Sequence, residues 1–369
     1  MSIKHSLPIP PHKILIIRLS AIGDVVRTLP ALRALRSTFP SSYIAWVVEE
    51  NAQDLLQGHP DLNRLLVFKR KKLRRGFLSI GEFFSSCGEL LDFLRELRRE
   101  HFDLVLDFHG ILKSGVISFL SGSPLRVGWS RGCTKEGNFL FNNYHVVLST
   151  STMSRFERNL MFIRFLGING VEQEPIIPIT DGDKGYIEHF FKEQGLPNHT
   201  PLIAIHPGTS LKTSYKRWET SSYTTVADML IEKIHASIVW TWGGGELAMV
   251  EDIVKGMRHR STIACKTENL RQLAELFRRC DLFVGCDSGP MHIASLVKTP
   301  VVVLFGPTDP VVNAPYQNNP HLVLRKDLPC SPCRKRNCES VECMRMITPD
   351  EVCNAAITLL KERVAYRTS

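Results

Sequence analysis

Four short stretches of this chain carry residue types that do chemistry. Ser20-Ala-Ile-Gly-Asp24 ends in a carboxylate, which takes a proton from a substrate hydroxyl when held beside one. The same group at a helix start also serves as an N-cap for backbone N–H groups, and residue type leaves both roles open. His206-Pro-Gly-Thr-Ser210, with Lys216-Arg-Trp218 close behind, offers hydroxyls, backbone N–H groups and a point charge to phosphate oxygens. It lacks the ending of a Walker loop, and an ordinary strand-to-helix loop is the alternative. Gly243-Gly-Gly-Glu-Leu-Ala248 satisfies G-x-G-x-x-A, with Glu246 placed to cap its helix or reach a ribose hydroxyl. Cys286-Asp-Ser-Gly-Pro-Met-His-Ile-Ala294 puts Pro290 in a first helical turn, whose free N–H groups make a metal-free pyrophosphate site. Asp287 and His292 flank that site; a capped helix with His292 packed on one face is the competing account.

A fifth stretch, Cys330-x2-Cys333-x4-Cys338-x4-Cys343, spaces four thiols tightly enough for tetrahedral zinc. Arg334, Lys335 and Arg336 within it favour thiolates. Reduced or partly paired cysteines in a loop are the alternative, and the expected active site has no metal. Ten cysteines behind an opening that lacks an apolar signal core argue for reduced thiols in the cytoplasm.

These stretches need elements to hold them. Lys13 to Leu19 reads as a strand, then a Ser/Gly turn, then a helix with Val25, Leu29, Leu32 and Leu35 at helical spacing. Strands recur at Tyr43 to Val48, Leu65 to Phe68 and Leu104 to Phe108, and a helix runs from Arg155 to Leu166. Apolar strands alternating with helices imply an α/β fold with a parallel sheet covered on both faces. Glu174-Pro-Ile-Ile-Pro-Ile-Thr-Asp181 has two prolines and no period, so it is the expected linker. The alternation then restarts, with strands at Leu202 to Ile205, Ser237 to Thr241, Leu282 to Val284 and Val301 to Leu304. Helices are expected near 219–233, 246–257, 269–279 and 290–297, and a final helix from Pro349 to Arg363. The expected domains are 1–173, 174–348 with the cysteine loop at 330–343, and a terminal helix over 349–369. Two doubly wound units joined once make a cleft, and ligands of such sheets bind beyond the strands' carboxyl ends.

With 369 residues, 43% of them hydrophobic and 22% charged, the chain is long enough for two cores and unlike a disordered one. No run of about 18 apolar residues is present to span a bilayer. Its 46 Lys and Arg against 37 Asp and Glu give +9, and the excess is localised. Residues 1–173 hold 23 basic and 15 acidic side chains, a net of +8, and residues 174–369 hold 23 and 22, a net of +1. The densest part is Lys69-Arg70-Lys71-Lys72-Leu73-Arg74-Arg75. A run like this is either a solvated loop or a site for an anionic surface. Aromatics do not interleave with it as single-stranded nucleic acid requires, which ranks a lipid surface or a small anionic acceptor first and leaves no nucleic-acid partner expected.

Together, Leu19-Ser-Ala-Ile-Gly-Asp-Val-Val-Arg-Thr-Leu-Pro30, His206-Pro-Gly-Thr with Lys216-Arg-Trp, Asp287-Ser-Gly-Pro-Met-His-Ile-Ala and Phe305-Gly-Pro-Thr-Asp-Pro resemble the ADP-heptose:lipopolysaccharide heptosyltransferases, glycosyltransferase family 9. The resemblance covers nearly the whole chain. It implies the GT-B fold, two Rossmann-like domains facing across a cleft, with the last helix packing back on the first domain. It implies inverting transfer of L-glycero-D-manno-heptose from ADP-heptose to the anionic inner core of lipopolysaccharide, with no further cofactor, at the cytoplasmic face of the inner membrane. By position, Asp24 resembles the catalytic base. Thr209, Ser210 and Lys216 resemble the phosphate site, Glu246 the ribose contact, and Asp287, Ser288, Gly289 and His292 the rest of the donor pocket. Lys113 and Arg126 resemble acceptor-side positions, to which the basic run adds Lys69 and Arg70. The run itself is more cationic than the family leads one to expect, and His109 stands where many members carry Gln.

Other classes remain distinguishable. A nucleotide-sugar 2-epimerase of similar architecture converts its substrate without an acceptor. A dehydrogenase using Gly243 to Ala248 changes nicotinamide absorbance, and a zinc-dependent nucleic-acid module binds DNA in a salt-dependent way. Which heptose is added lies in first-domain loops that residue patterns do not decode.

Overall fold

The computed structural model describes residues 10–70, 72, 80–150, 152–169, 174–196, 199–333 and 335–368, of which 80–83 and 363–368 are described by their backbone alone. Lys71, Leu73, Arg74 and Arg75 of the basic run, and Arg334 of the cysteine loop, lie outside the described residues. The chain divides into two compact units, Met1–Pro178 and Ile179–Ser369, so the boundary falls five residues after the expected one.

In the first unit, strands β1 (Lys13–Ile17), β2 (Tyr43–Glu49), β3 (Arg64–Phe68), β4 (Leu104–Asp107), β5 (Leu125–Trp129) and β6 (Tyr144–Val146) form one sheet in the order β3-β2-β1-β4-β5-β6. Every pairing is parallel. Helices α1 (Ile22–Val26), α2 (Leu29–Thr38), α3 (Ile80–Arg99), α4 (Leu112–Leu120) and α5 (Arg155–Phe165) make the connections. A parallel sheet needs both faces covered, and Ile14, Leu15, Ile16 and Ile17 are accordingly all buried. Ile17 pairs with both Val47 and Asp107. The strand order reverses between β1 and β4, and that reversal opens a crevice at their carboxyl ends.

The second unit repeats the plan. Its elements are α6 (Asp181–Glu193), β7 (Leu202–His206), α7 (Thr220–Ile234), β8 (Ser237–Trp240), α8 (Leu247–Lys255), β9 (Thr262–Ile263), α9 (Leu270–Arg279), β10 (Leu282–Cys286), α10 (Gly289–Leu296), β11 (Val301–Phe305), β12 (His321–Arg325), α11 (Glu342–Arg345) and α12 (Pro349–Thr368). The parallel sheet runs β12-β11-β10-β7-β8-β9. Counted from its own first strand, this is the same order as in the first unit, and its reversal lies between β7 and β10.

The final helix packs within its own unit. Val352, Cys353, Ala356 and Leu359 are buried in the second unit's core with Val226, Ala227 and Leu230 of α7 and Val302 and Leu304 of β11. The helix therefore completes the sheet cover of its own unit. The expected linker also ends early, because Thr180 caps α6: its hydroxyl accepts from the Asp183 N–H while Asp183 accepts from the Thr180 N–H.

Candidate active site

The loop leaving β1 places Asp24 in the crevice of the first unit. The cap account of Asp24 does not hold: Ala21 is the N-cap of α1, and no side chain caps it. The carboxylate instead meets three guanidiniums. Arg18 Nη2 lies 2.9 Å from Oδ2, Arg27 Nη1 3.0 Å from Oδ1 and Arg155 Nη1 2.8 Å from Oδ1. Burial alone would push the Asp24 pKa up, but Arg18, Arg155 and Arg27 outweigh it and hold the carboxyl well below the usual carboxylate range. Asp24 is ionised at any physiological pH.

His109, following β4 on the other side of the strand reversal, completes this group. Its Nδ1 is 3.2 Å from the Leu19 N–H, which donates to it, so the ring carries its proton on Nε2. Burial and Arg18 push its pKa down to about 3 against the pull of Asp24, with Lys113 and Arg70 acting in the same sense as Arg18. His109 is thus neutral, and it marks Asp24, Arg18, Lys113 and Arg70 as one neighbourhood. Lys113, at the start of α4, bonds to buried Glu49 at the end of β2, and Arg70 reaches the same carboxylate at 3.4 Å. Lys69 is exposed and lines a separate cavity of about 260 Å³ with Phe68, Glu89, Leu90, Asp92 and Phe93. Arg126 is not part of the Asp24 group. Its guanidinium holds the carbonyls of Phe141 at 3.0 Å and Ser123 at 2.5 Å and lies over the Phe119 ring, which clamps β5 to the turn that follows it.

In the second unit the loops after β7 and β10 meet at the strand reversal. Lys216 Nζ is 2.8 Å from Asp287 Oδ2, an oxygen that also accepts from Thr308 Oγ1 at 2.9 Å. His292 Nε2 is 3.7 Å from Asp287 Oδ1. Gly289 and Pro290 form the first turn of α10, and Ser288 stands at its N-cap without a side-chain cap bond. The buried Ser288 hydroxyl has no hydrogen-bond partner among the described residues. An open helix N-terminus beside an unpartnered hydroxyl and a lysine is chemistry suited to a phosphate.

Glu246 does not cap its helix either. It bends back to accept from the Gly243 N–H at 2.8 Å and stands 3.6 Å from both Arg217 Nη2 and His206 Nε2. A Cβ at Gly208 would come within 2.2 Å of this carboxylate, so glycine there makes room for it. Burial raises the Glu246 pKa against the Gly243 N–H and Arg217, and burial pushes His206 down to about 4. The His206 contact is therefore with a neutral ring, 3.0 Å from Thr241 Oγ1 on its Nδ1 side. Thr209 is buried: its hydroxyl donates to the Thr213 carbonyl and accepts from Arg217 Nε, and Arg217 also holds the Thr209 carbonyl. Ser210 is exposed and pairs with Thr213. Trp218 anchors the stretch, buried against Tyr223 with its ring N–H on the Ile347 carbonyl. The eight residues expected on the donor side thus fall at the carboxyl ends of β7, β8 and β10, with Gly289 and His292 on α10 and the others in the segments that follow the strands.

The cysteine loop folds against residues 306–307. The Cys333 N–H donates to the Pro307 carbonyl, Ser331 Oγ to the Gly306 carbonyl, and the space beside Gly306 is filled by Cys343 and Met344. Among the described residues no group of three or more His, Cys, Asp or Glu side chains is arranged to hold a metal ion. Burial, and then Cys333, Cys338 and Cys330, raise the Cys343 pKa.

Residue patterns missed Arg18, Arg27 and Arg155, which hold Asp24, together with Glu49, Arg217 and Thr308. Arg155 lies 131 positions from Asp24, beyond the reach of any local spacing. Arg217 was visible in Lys216-Arg-Trp218 but had no assigned role.

Residues 90–343 match the profile of a family described as glycosyltransferase family 9 (heptosyltransferase). The chain belongs to glycosyltransferase family 9. A lipopolysaccharide core heptosyltransferase of Haemophilus influenzae is 26% identical over 316 residues, 85% of this chain and 84% of that protein. Lipopolysaccharide heptosyltransferase 2 of Escherichia coli is 26% identical over 322 residues, 84% and 87% of the two chains. A solved family 9 glycosyltransferase from Veillonella parvula superposes with a TM-score of 0.81 at 26% identity, covering 95% of this chain and 98% of that one. The E. coli ADP-heptose heptosyltransferase II shares the fold, with a TM-score of 0.69 at 20% identity over 95% and 99%. The fold is thus the α/β GT-B pair of Rossmann-like units, and the protein is a glycosyltransferase. As a family 9 member it has no use for Gly243 to Ala248 as a dehydrogenase fingerprint. That stretch follows β8, the second strand of its unit, whereas a dinucleotide fingerprint follows the first.

Proposed function

We propose that this family 9 glycosyltransferase moves L-glycero-D-manno-heptose from ADP-heptose to the anionic inner core of lipopolysaccharide, with inversion at the anomeric carbon. The observation that carries the reading is Asp24, a half-buried, ionised carboxylate beyond the carboxyl end of β1 that serves no helix as a cap. In the reaction the acceptor hydroxyl oxygen bonds to the anomeric carbon as the carbon–oxygen bond to the diphosphate breaks. Asp24 takes the hydroxyl proton, and ADP leaves with the bonding pair. The departing charge is met by Lys216, the Ser288 hydroxyl and the N-terminus of α10 at Gly289. Asp287 and Thr308 orient Lys216, Glu246 takes the ribose, Thr209 and Ser210 shape the phosphate loop, and His292 backs Asp287.

The first unit, as the acceptor side, supplies Lys69, Arg70 and Lys113. Its basic excess suits an acceptor bearing phosphates and carboxylates at an anionic membrane surface. Among the described residues no helix is long and apolar enough to cross a membrane, and the reading places the protein peripherally at the cytoplasmic face. Solved E. coli heptosyltransferase structures with ADP and with ADP-2-deoxy-2-fluoro heptose supply the donor candidate. The deciding experiment is a transfer assay with ADP-heptose and a panel of truncated core acceptors. Heptose transfer to one of them, with the opposite anomeric configuration, is expected; hydrolysis or epimerisation of the donor without any acceptor product ends the reading.

A further inference from the structure

The three guanidiniums on Asp24 are not equally tied. Arg27, a neighbour in the same turn, is 5% exposed in its side chain. Arg18 is 11% exposed and also donates to the Phe108 carbonyl. Arg155 is 32% exposed and comes from the first residue of α5. It bonds to Oδ1, which Arg27 also holds, while Arg18 holds Oδ2. Arg155 can therefore leave with both carboxylate oxygens still partnered.

The chemistry gives a reason for it to leave. Each cation beside a carboxylate stabilises the charged form and weakens it as a base, yet a base works best when its pKa approaches the working pH. Three guanidiniums suit a resting carboxylate, and fewer suit one about to accept a proton. The remaining group at this spot, His109, is neutral, and Arg70 and Lys113 act with Arg18 to keep it so. The carboxylate that β4 brings, Asp107, is buried and already accepts from the His109 and Gly110 N–H groups, Ser114 Oγ and Asn138 Nδ2, so its oxygens are committed away from Arg155. A guanidinium's parallel N–H donors fit a second carboxylate or a phosphate as well as the first, so the exchange loses no hydrogen bonds.

We propose that Arg155 anchors an anionic group of the acceptor, a carboxylate or a phosphate, and that binding of this group draws Arg155 off Asp24, strengthening the base only when a hydroxyl is in place. The proposal rests on the reading of Asp24 as the base.

The test is the pH dependence of transfer from ADP-heptose to core acceptor. The acid limb of kcat/KM reports Asp24 in the free enzyme, and that of kcat reports it in the complex. In the wild type the kcat limb should lie about one pH unit or more above the kcat/KM limb. In Arg155→Met the two should coincide, with acceptor KM raised about ten-fold and ADP affinity unchanged. Coincident limbs in the wild type overturn the proposal, and that comparison needs no variant. Unchanged acceptor KM in Arg155→Met also overturns it. Acceptors with their carboxyls reduced, or enzymatically dephosphorylated, identify the source. The treatment that removes the advantage of wild type over Arg155→Met names the group, and indifference to both refutes an anion anchor. Undiminished turnover in Asp24→Asn would instead remove the base itself. An inactive Asp24→Asn beside coincident wild-type limbs removes only the role of Arg155.

Discussion

Lys216 and Asp287 join two loops of one sheet through a 2.8 Å contact between Nζ and Oδ2. Both are largely buried, and breaking one side of such a pair leaves an uncompensated charge. Lys216→Met should lower stability by about 3 kcal/mol and ADP affinity at least ten-fold. Lys216→Met combined with Asp287→Asn should recover much of the stability and none of the affinity. Denaturant unfolding and calorimetric ADP titration of the three variants check this; full recovery of affinity in the double variant would remove Lys216 from the diphosphate site.

Asp24→Asn keeps the shape of the group among the three arginines and discards its basicity. Turnover should fall by about 10²–10⁴ while the ADP dissociation constant stays put. Steady-state transfer assays beside ADP titrations separate the two effects, and turnover near that of the wild type would end the base role.

The same carboxylate has a signature in stability. Its folded pKa is depressed, so its contribution is fully present above the unfolded value near 4 and is lost as pH falls through the lower folded value. The stability gap between wild type and Asp24→Asn should be constant from pH 7 to about pH 5 and close below about pH 4. A gap that widens toward low pH would contradict the arginine cage.

His206 carries the opposite cost. It stays neutral down to about 4 in the folded protein, whereas the unfolded chain protonates near 6.5. The unfolded state therefore binds more protons between those values, and folding weakens as pH falls through that window. For a buried ring the loss is on the order of 2–3 kcal/mol. His206→Gln should flatten the stability profile between pH 6.5 and 4; an unchanged slope in urea unfolding would place the proton elsewhere.

Gly208→Ala tests the seat of Glu246. The added methyl would sit 2.2 Å from the carboxylate, so Glu246 must leave the Gly243 N–H. A cost of about 1–3 kcal/mol and weakened donor binding are expected. A crystal structure of the variant with Glu246 in place would show that the loop gives way instead.

Much of this architecture is legible in the residues, for physical reasons that also explain the gaps. Central strands such as Ile14–Ile17 and Val301–Phe305 are buried on both faces and therefore read as unbroken apolar runs. Strands β6 and β9 have three and two residues, too few to show a period. Strand β5 carries Arg126 and Gly128, and β12 is half-buried with Val323 exposed at its centre, so neither stands out. Helix α6 was concealed by the prolines before it, although Thr180 and Asp183 have the spacing of a capping box. In the site, the loops after β1, β7, β8 and β10 were legible because strand ends and glycine turns are local. The cage around Asp24 was not, because only Arg27 shares its turn, while Arg18 comes from the end of β1 and Arg155 from α5, 131 positions away. The same holds for Glu49, whose partners Arg70 and Lys113 converge only in three dimensions.

The shared strand order of the two units has a consequence for heredity. Each crevice is furnished by loops of its own sheet, so a substitution that retunes one partner's recognition has no need of a matching change in the other sheet. On the assignment proposed above, with the acceptor on the first unit and the nucleotide on the second, descendants of such a chain are free to diversify in the one while the other stays fixed. At 26% identity to its relatives over most of its length, change in such a chain can accumulate in the loops of one sheet without a compensating change in those of the other.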